Sequence, residues 1–470
     1  MPSPFWVVTS LLCLGGLRAA GNTRTGLGLP MLAVIGTVAV WYVGDALYND
    51  YPNTHAWFFT RSILRDAWWQ VALFLVTFLF VTPHASGVIN NNVFARRSRV
   101  DRIVRSGKMP AGMESGLHKL FHVCWIGWTI LALIAVIRFQ ENAVYYFFPF
   151  LGGKLDPWGR PQIGGGISAL LSAAAVTQSF IAASLGVVAA LVRHRGVRMA
   201  ALALCAVIWP YYIFDRTRNS ILVVVVPAVL AWVFLRLRAS MLVRLVVLGV
   251  CFLALEGWFK VIIANREGMR IDLHSADILR DATKAEVRHT GLNMFEELCW
   301  INTLINDGTC TLAYGQEYLA QLVNPVPRGL WPDKPAIGLD YAIARGQEYT
   351  EGGTTATISR GIIGQGVANF GRCFGPIFAA LLTSLWTCLL ARLDLQGHRP
   401  GRLILYALGL VLTFNLGRDI TFLTLYPFAF GWVIVTLVER SGGPKPRPEA
   451  RRPKPAPDAA VIERKKSQTA

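Results

Sequence analysis

The sequence contains few charged residues for its length and none of the common metal or nucleotide motifs. Of its 470 residues, 16% are charged and 53% are hydrophobic, and the mean hydropathy is +0.43. No CxxC pair, zinc-spaced cysteine–histidine cluster, HExxH, P-loop or GxSxG motif occurs in a suitable context. This composition excludes a large independent soluble catalytic domain, and we expect a protein that needs neither metal nor cofactor.

The apolar residues fall in long runs. A helix needs about 20 apolar residues to cross the hydrocarbon core, and in lipid a helix satisfies all of its own backbone hydrogen bonds. The runs therefore predict an all-α polytopic integral membrane protein with about eleven transmembrane helices. The predicted spans are 4–17, 28–47, 67–85, 119–138, 167–192, 199–214, 220–236, 241–263, 374–392, 403–416 and 421–438.

The formal charge of +18 is concentrated in short links between these runs and in the C-terminal tail. That distribution is typical of topology signals, because Lys and Arg are retained in cytoplasmic links, and it argues against nucleic-acid binding. It predicts an external N-terminus and a cytoplasmic C-terminus. The links predicted to be cytoplasmic contain Arg18, Arg24, Arg96, Arg97, Arg99, Arg102, Arg105, Lys108, Arg193, Arg195, Arg198, Arg236, Arg238, Arg244, Arg399 and Arg402.

The predicted organisation has four parts: a membrane bundle over 1–263 with about eight spans, a large external loop over 264–373, a second bundle over 374–438 with about three spans, and a disordered basic tail over 439–470. In the loop, acidic residues outnumber basic ones. The loop sequence predicts helices over 276–289, 291–306 and 311–323 and a glycine- and threonine-rich flap over 352–366. Cys299 and Cys310 in this loop either form a disulfide or stay reduced and buried.

Several arginines lie in short external links, where the positive-inside rule disfavours them. Arg216 and Arg218 lie in IFDRTRNS, Arg418 lies in FNLGRDI, and Arg328 lies in PVPRGLWPDKP. A guanidinium donates two parallel hydrogen bonds to phosphate, so these segments together predict an anion site at the membrane surface. Alternatively, these arginines reach lipid headgroups or pair with neighbouring aspartates.

Two segments resemble the O-antigen polymerase (Wzy-like) family of oligosaccharide repeat-unit polymerases. They are YGQEYLAQLVNPVPRGLWPDKPAIG and TATISRGIIGQGVANFGRCFGP, and the Pro-Arg…Trp-Pro-x-Lys-Pro block around Arg328 is their most specific feature. The short-link arginines Arg218 and Arg418 fit the same pattern. The similarity covers roughly residues 199–438, and it departs from many relatives at Gln365, where they have Glu.

The resemblance implies a GT-C-like membrane glycosyltransferase of the bacterial inner membrane. Such an enzyme joins undecaprenyl pyrophosphate-linked repeat units into O-antigen, capsular or exopolysaccharide at the periplasmic face, beside a chain-length regulator and a flippase. It implies roles for several residues. The catalytic cations would be Arg218, Arg328 and Arg418; substrate would be bound by Arg216, Tyr318, Trp331, Lys334, Arg360 and Gln365; and the base candidates are His274, His289, Glu348 and Glu351.

Two other functions stay open. One is a glycan ligase, although relatives of that type carry a histidine before the glycine-rich segment, and none lies between His289 and His398. The other is a transporter or flippase of lipid-linked sugar. Transporters tend to show internal repeats, and we find no such symmetry.

Overall fold

We describe a computed structural model of the chain. It describes residues 3–48, 59–90, 96–110, 112–151, 155, 157–158, 167–214, 218–264, 293–323, 326, 330–333, 335, 339–346, 349–350, 353–354 and 358–440. The helices long enough to define the bundle and its loop are α1 Ser3–Gly21, α2 Gly28–Val38, α3 Arg61–Ile89, α4 Arg99–Ser106, α5 Met113–Phe139, α6 Ile167–Leu191, α7 Arg195–Ile213, α8 Arg218–Ala231, α9 Met241–Ala264, α10 Met294–Asn306, α11 Gln316–Val323, α12 Leu339–Ala344, α13 Gly361–Leu395, α14 Pro400–Leu416 and α15 Phe422–Arg440.

Shorter elements extend or connect these helices. π-helical turns at Ala39–Gly44 and Trp232–Arg236 continue α2 and α8, and helical turns occur at Asp45–Tyr48, Gln140–Ala143, Val144–Phe147 and Pro149–Leu151. Two short strands, β1 Tyr349–Thr350 and β2 Gly353–Thr354, pair antiparallel with Tyr349 opposite Thr354 and Thr350 opposite Gly353.

Eight helical segments in the described part of the chain are long and apolar enough to cross a membrane. Apolar helices at Ser220–Arg236 and Pro400–Leu416 are shorter, and α15 coincides with the last predicted span. The chain thus has the architecture of an α-helical, multi-pass membrane protein. The number of eleven spans, the division into four parts and the orientation stay predictions.

The helices pack through buried apolar side chains and through a few paired polar ones. Gln70 of α3 and Asn302 of α10 exchange side-chain hydrogen bonds of 2.8 and 2.9 Å, and the Thr82 and Ser384 hydroxyls lie 2.8 Å apart. Reciprocal pairs of this kind satisfy polar groups that lipid would leave unpaired. They fix α3 against both α10 and α13.

Helix α13 connects the two ends of the bundle. At the start of its longer segment, Arg372–Leu395, Arg372 donates to Asp66 at 3.3 Å, and near the end of that segment the Asp394 carboxylate accepts a hydrogen bond from the Ser98 hydroxyl at 2.7 Å. We call the end at Arg372 the loop side and the end at Asp394 the basic side. The sequence predicts that the loop side is external and the basic side cytoplasmic.

Two expectations for the loop can be compared with the structure. Helices α10 and α11 confirm helical structure within 291–306 and 311–323, whereas 276–289 lies outside the described residues. The flap predicted over 352–366 is wrong in its last part. Residues from Gly361 onward form helix, and Gly364 and Gln365 are buried. Gly364 packs against Ile301, since an added Cβ would lie 2.7 Å from that side chain, and Gln365 accepts the Ile420 N–H.

Candidate functional site at the loop side of the bundle

Helix α13 is broken at Gly371, where φ is 78° and ψ is −176°. Only glycine adopts this conformation readily, because a Cβ would clash with the backbone. The chain folds back there, so that a Cβ added at Gly366 would lie 2.3 Å from the Gly375 carbonyl oxygen. The segment Gly361–Phe370 is thus a short helix that packs tightly against the membrane-length segment from Arg372 to Leu395.

A turn in the loop closes the end of this short helix. The backbone N–H groups of Ala313 and Tyr314 donate to the carbonyls of Ala368 and Asn369 at 3.0 and 2.9 Å, and Gly315 N–H donates to the Asn369 side-chain oxygen at 3.0 Å. The last carbonyls of a helix need such partners when they are buried. This turn places α11 directly beside the broken helix.

Three charged residues meet at the start of the short helix. The Arg360 backbone N–H donates to both carboxylate oxygens of Asp419, each at 3.2 Å, and the Arg360 guanidinium donates to Glu317 Oε1. The second oxygen of Glu317 accepts the Asn369 side-chain amide at 2.9 Å. The Arg360 side chain is 7% exposed and that of Glu317 is 15% exposed, so this ion pair is largely desolvated.

Arg418 lies beside this group. Its guanidinium carbon is 5.9 Å from the Trp41 ring centroid, and Nη2 donates to the Ser359 hydroxyl at 3.1 Å. Gly417 has no room for a side chain, because an added Cβ would lie 2.3 Å from Trp41. We call Arg360, Glu317, Asp419 and Arg418 the loop-side cluster. Two guanidiniums and two carboxylates balance one another in it when all four are ionised.

Asp419 is buried, with 8% of the residue exposed. Burial raises its pKa from 3.8 to about 7, although the charges of Arg360 and Arg418 and the hydrogen bond from Arg360 favour the ionised form. Its protonation state therefore changes near neutral pH, and the hydrogen bond to the start of the short helix changes with it.

A second buried ion pair lies next to the loop-side cluster. Glu297 of α10 accepts two hydrogen bonds from the Arg345 guanidinium, at 3.2 and 3.3 Å, and one from the Tyr341 hydroxyl. Burial raises the pKa of Glu297, while Arg345 and Tyr341 oppose that shift. The Arg360 guanidinium lies 5.2 Å from the Tyr341 ring centroid, which joins the two groups.

Several residues predicted to bind substrate have structural contacts here. Gln365 is 2% exposed, and its side-chain oxygen accepts the Ile420 N–H at 3.0 Å. The Tyr318 ring packs on Phe370 and Phe378, with centroids 6.3 and 5.3 Å apart. Arg360 is paired with Glu317, as above. Trp331 differs, because 38% of it is exposed.

Most of the other predicted site residues, or their side chains, lie outside the described part of the chain. Arg218 begins α8, but its side chain lies outside the described residues. Outside them entirely lie Arg216, His274, His289, Arg328, Lys334, Glu348 and Glu351. The convergence of Arg218, Arg328 and Arg418 on one phosphate thus stays a prediction. Cys299 and Cys310 are not joined by a disulfide in the structure, where Cys299 is buried and Cys310 is half-buried.

Sequence reasoning missed the carboxylates Glu317 and Glu297 and their partners Asn369, Tyr341 and Arg345. One signal was available for the loop as a whole: its acidic residues outnumber its basic ones, so arginines there have partners at hand. Spacing could not reveal the pairs, because Arg360 and Glu317 are brought together only by the turn at Gly315 and the break at Gly371.

Comparison with known proteins adds no family. No protein-family model, curated protein or solved structure matches this chain. Among the described residues there is no group of three or more His, Cys, Asp or Glu that could hold a metal ion.

Proposed function

We propose that this protein polymerises lipid-linked oligosaccharide repeat units at the external face of the bacterial inner membrane. The proposal rests on the resemblance around Arg328 and on one structural observation: Arg418 is held in a defined orientation by Trp41 and Ser359 at the loop side of the bundle. A fixed cation at the predicted external surface suits a pyrophosphate carried by a membrane lipid.

In the proposed reaction, a hydroxyl of one lipid-linked unit attacks the anomeric carbon of the chain on a second lipid. The bond from that carbon to the pyrophosphate oxygen breaks, a glycosidic bond forms, and the hydroxyl proton passes to a base. Lipid pyrophosphate leaves with additional negative charge, which Arg418, Arg218 and Arg328 stabilise. The base is one of His274, His289, Glu348 and Glu351.

The loop-side cluster has a positioning role in this proposal. Asp419 follows Arg418 directly in the chain, and its hydrogen bonds to Arg360 N–H join the end of α14 to the start of the short helix. Because its guanidinium is paired with Glu317, Arg360 does not contact substrate in this proposal. It positions Arg418 instead, through its backbone hydrogen bonds to Asp419. Trp331, with its exposed ring, is placed to stack on a sugar.

A transporter of lipid-linked sugar is a second candidate, favoured by the break in α13. Discontinuous helices in membrane proteins often form substrate sites, because they present backbone groups within the bundle. The short helix Gly361–Phe370 is such a segment. Polymerisation remains the better supported function, because the resemblance around Arg328 is to polymerases and a transporter function does not account for it.

Deleting the gene and resolving the surface polysaccharide on a gel distinguishes the candidates. Single-unit chains without a long ladder support polymerisation. Long lipid-linked polymer that never reaches its final acceptor would indicate a ligase, and single units retained on the cytoplasmic leaflet would indicate a flippase.

Replacing Arg418 and Arg328 separately by Ala and by Lys tests the cations. We expect Ala to shorten the chains strongly at either position, since one fixed donor at a developing charge contributes about 100-fold or more to rate. Lys should restore activity only in part, because it lacks the guanidinium fork. Arg65, an exposed arginine at the loop-side end of α3, provides the matched Arg65→Ala control. Full ladders in all Arg328 and Arg418 variants at normal protein level would reject the assignment.

A further inference from the structure

A basic cavity lies at the opposite end of the bundle. It measures about 520 Å³ and is formed by the end of α4, the turn that follows α8 and the start of α9. Arg193, Arg236, Arg238 and Arg244 line it, and no Asp or Glu does. A neighbouring cavity shares Arg238 and Arg244 and adds Arg105 and Lys108. The four lining arginines come from two links and one helix, which converge on one space.

The acidic residues that neighbour the cavity-forming segments in sequence, Asp101 and Glu114, bond to groups other than the guanidiniums that line the cavity. Asp101 bonds to Arg105 at 2.9 Å along α4. Glu114 accepts the backbone N–H groups of Arg193 and His194 at 2.8 and 3.0 Å, and so holds the link before α7. In the part of the chain that the structure describes, none of the four lining arginines forms an ion pair with a carboxylate.

The backbone between α8 and α9 positions three of these arginines, Arg236, Arg238 and Arg244. Helix α8 ends in the π-helical turn Trp232–Arg236, a feature found often at functional sites, and Leu237 then becomes extended. Arg244 Nη2 donates to the Leu237 carbonyl at 3.1 Å, which pins the turn to α9. The Arg244 Nε is buried without a hydrogen-bond partner among the described residues. An unsatisfied guanidinium N–H beside other guanidiniums favours an anionic ligand.

Positive-inside topology by itself does not require this arrangement. Arg102 of α4 and Arg198 of α7 belong to the same set of basic links, yet neither lines the cavity. The orientation of a membrane protein depends on how many Lys and Arg residues flank the spans, and the directions of their side chains do not matter for it. In the cavity, by contrast, four positively charged side chains line one space. Their mutual repulsion costs free energy unless an anion lies between them.

The surroundings favour a lipid over a free anion. Phe234, Leu235 and Met109 form an apolar wall of the cavity. Beyond Arg244, α9 continues with a row of largely exposed apolar side chains, which suits contact with acyl chains. The row comprises Val246 at 57% exposure, Val250 at 61% and Leu253 at 69%. A headgroup phosphate in the cavity would thus leave the tails along α9.

We propose that this cavity is a binding site for the phosphate headgroup of an anionic phospholipid of the leaflet on the basic side. Basic pockets between transmembrane helices on the cytoplasmic side are suited to such headgroups, because guanidiniums donate paired hydrogen bonds to phosphate. The site is independent of the proposed polymerase reaction, since it involves none of the loop-side residues.

The test uses the full-length protein in detergent, titrated with cardiolipin, phosphatidylglycerol or zwitterionic phosphatidylcholine and followed by native mass spectrometry. We expect retention of the two anionic lipids over phosphatidylcholine. The variant Arg236→Gln/Arg238→Gln should bind them about thirtyfold more weakly, because each basic residue near an anionic headgroup strengthens binding about fivefold. Arg102→Gln/Arg198→Gln removes the same charge from the same side without touching the cavity and should retain most of the affinity.

Three results would overturn the proposal. Equal losses in the two double variants would indicate diffuse attraction by the whole basic side. Displacement of bound lipid by inorganic phosphate or pyrophosphate at matched concentration would indicate a free-phosphate site. No preference for anionic lipid in the unmodified protein would indicate that the cavity binds no headgroup. Because Arg236 and Arg238 form no ion pair with a carboxylate among the described residues, we expect the variants to fold, and gel filtration checks this.

Discussion

The two ends of the bundle use arginine in opposite ways. At the loop side, Arg360 is buried, its guanidinium is paired with Glu317, and the Asp419 carboxylate is a second negative charge near it. At the basic side, Arg236, Arg238 and their neighbours surround a cavity with no carboxylate lining it. A buried paired charge is costly to disrupt, whereas clustered unpaired charges gain from an added anion. The difference separates arginines that hold the fold from arginines that are placed to bind.

The largest effect should come from Arg360→Ala. This change leaves the buried Glu317 carboxylate without its guanidinium partner and removes a positive charge near Asp419, whose hydrogen bonds from the residue 360 backbone N–H remain. Breaking a buried ion pair in this way costs about 3–5 kcal/mol of unfolding free energy. Thermal unfolding of the purified protein in detergent measures it. Arg236→Gln at the basic side should change stability by less than about 0.5 kcal/mol, as expected for a residue outside any paired network.

A second substitution sharpens that result. Adding Glu317→Gln to Arg360→Ala should recover part of the lost stability, because a neutral amide replaces the unpaired carboxylate. If the double variant is less stable than Arg360→Ala by the full cost of a second independent change, the Arg360–Glu317 pair is not the cause.

Packing at the break in α13 predicts an intermediate effect. Gly366→Ala brings a Cβ to 2.3 Å from the Gly375 carbonyl oxygen. Overpacking of this kind costs about 1–3 kcal/mol of unfolding free energy. It should also shorten the polysaccharide product by displacing the loop-side cluster.

Gly36 of α2 is the matched control, because a Cβ there meets nothing within 4 Å. Gly36→Ala should stabilise by up to about 1 kcal/mol through helix propensity. Equal thermal midpoints for the two variants would contradict the close helix contact.

Asp419 should produce a smaller, pH-dependent effect. Its folded pKa of about 7 exceeds the ordinary 3.8, so the folded state binds the proton more tightly than the unfolded state. The stability contribution is therefore fully present below pH 3.8, declines as pH rises towards 7, and is constant above that. The thermal midpoint of the unmodified protein should fall relative to that of Asp419→Asn across this window. Parallel curves for the two proteins would rule out titration of Asp419.

The smallest effect concerns thiols and leaves stability unchanged. Cys373 is exposed beside Arg372 at the loop side, whereas Cys299 is fully buried and burial raises its pKa. A membrane-impermeant maleimide should label Cys373, and spare Cys299, in right-side-out vesicles. Cys373→Ser should abolish that labelling. Labelling only in inverted vesicles would show that the loop side faces the cytoplasm, and would reverse the two ends in every proposal above.

The sequence predicted the membrane architecture well, because hydropathy acts locally. A run such as 67–85 must be helical in lipid whatever its neighbours are, and α3 covers it. The sequence also predicted α10 from its apolar spacing and α11 from the prolines that follow it, Pro325 and Pro327. It did not predict the break at Gly371, since a glycine within a glycine-rich segment gives no sign of which residue adopts a positive φ.

By itself, then, the sequence determined that the chain is an apolar, helical protein with a mildly acidic loop and strongly basic links. Tertiary structure decided which charges meet. Glu317 reaches Arg360, and Asp45 reaches the start of α10 with 3.0 Å to Phe295 N–H, across separations that no periodicity spans. Coulomb energies fall with distance in space and are indifferent to distance along the chain. For that reason, the sequence could identify Arg418 as a candidate site residue. It could not show that Arg360, which lies beside Arg418 in space, is already paired with Glu317.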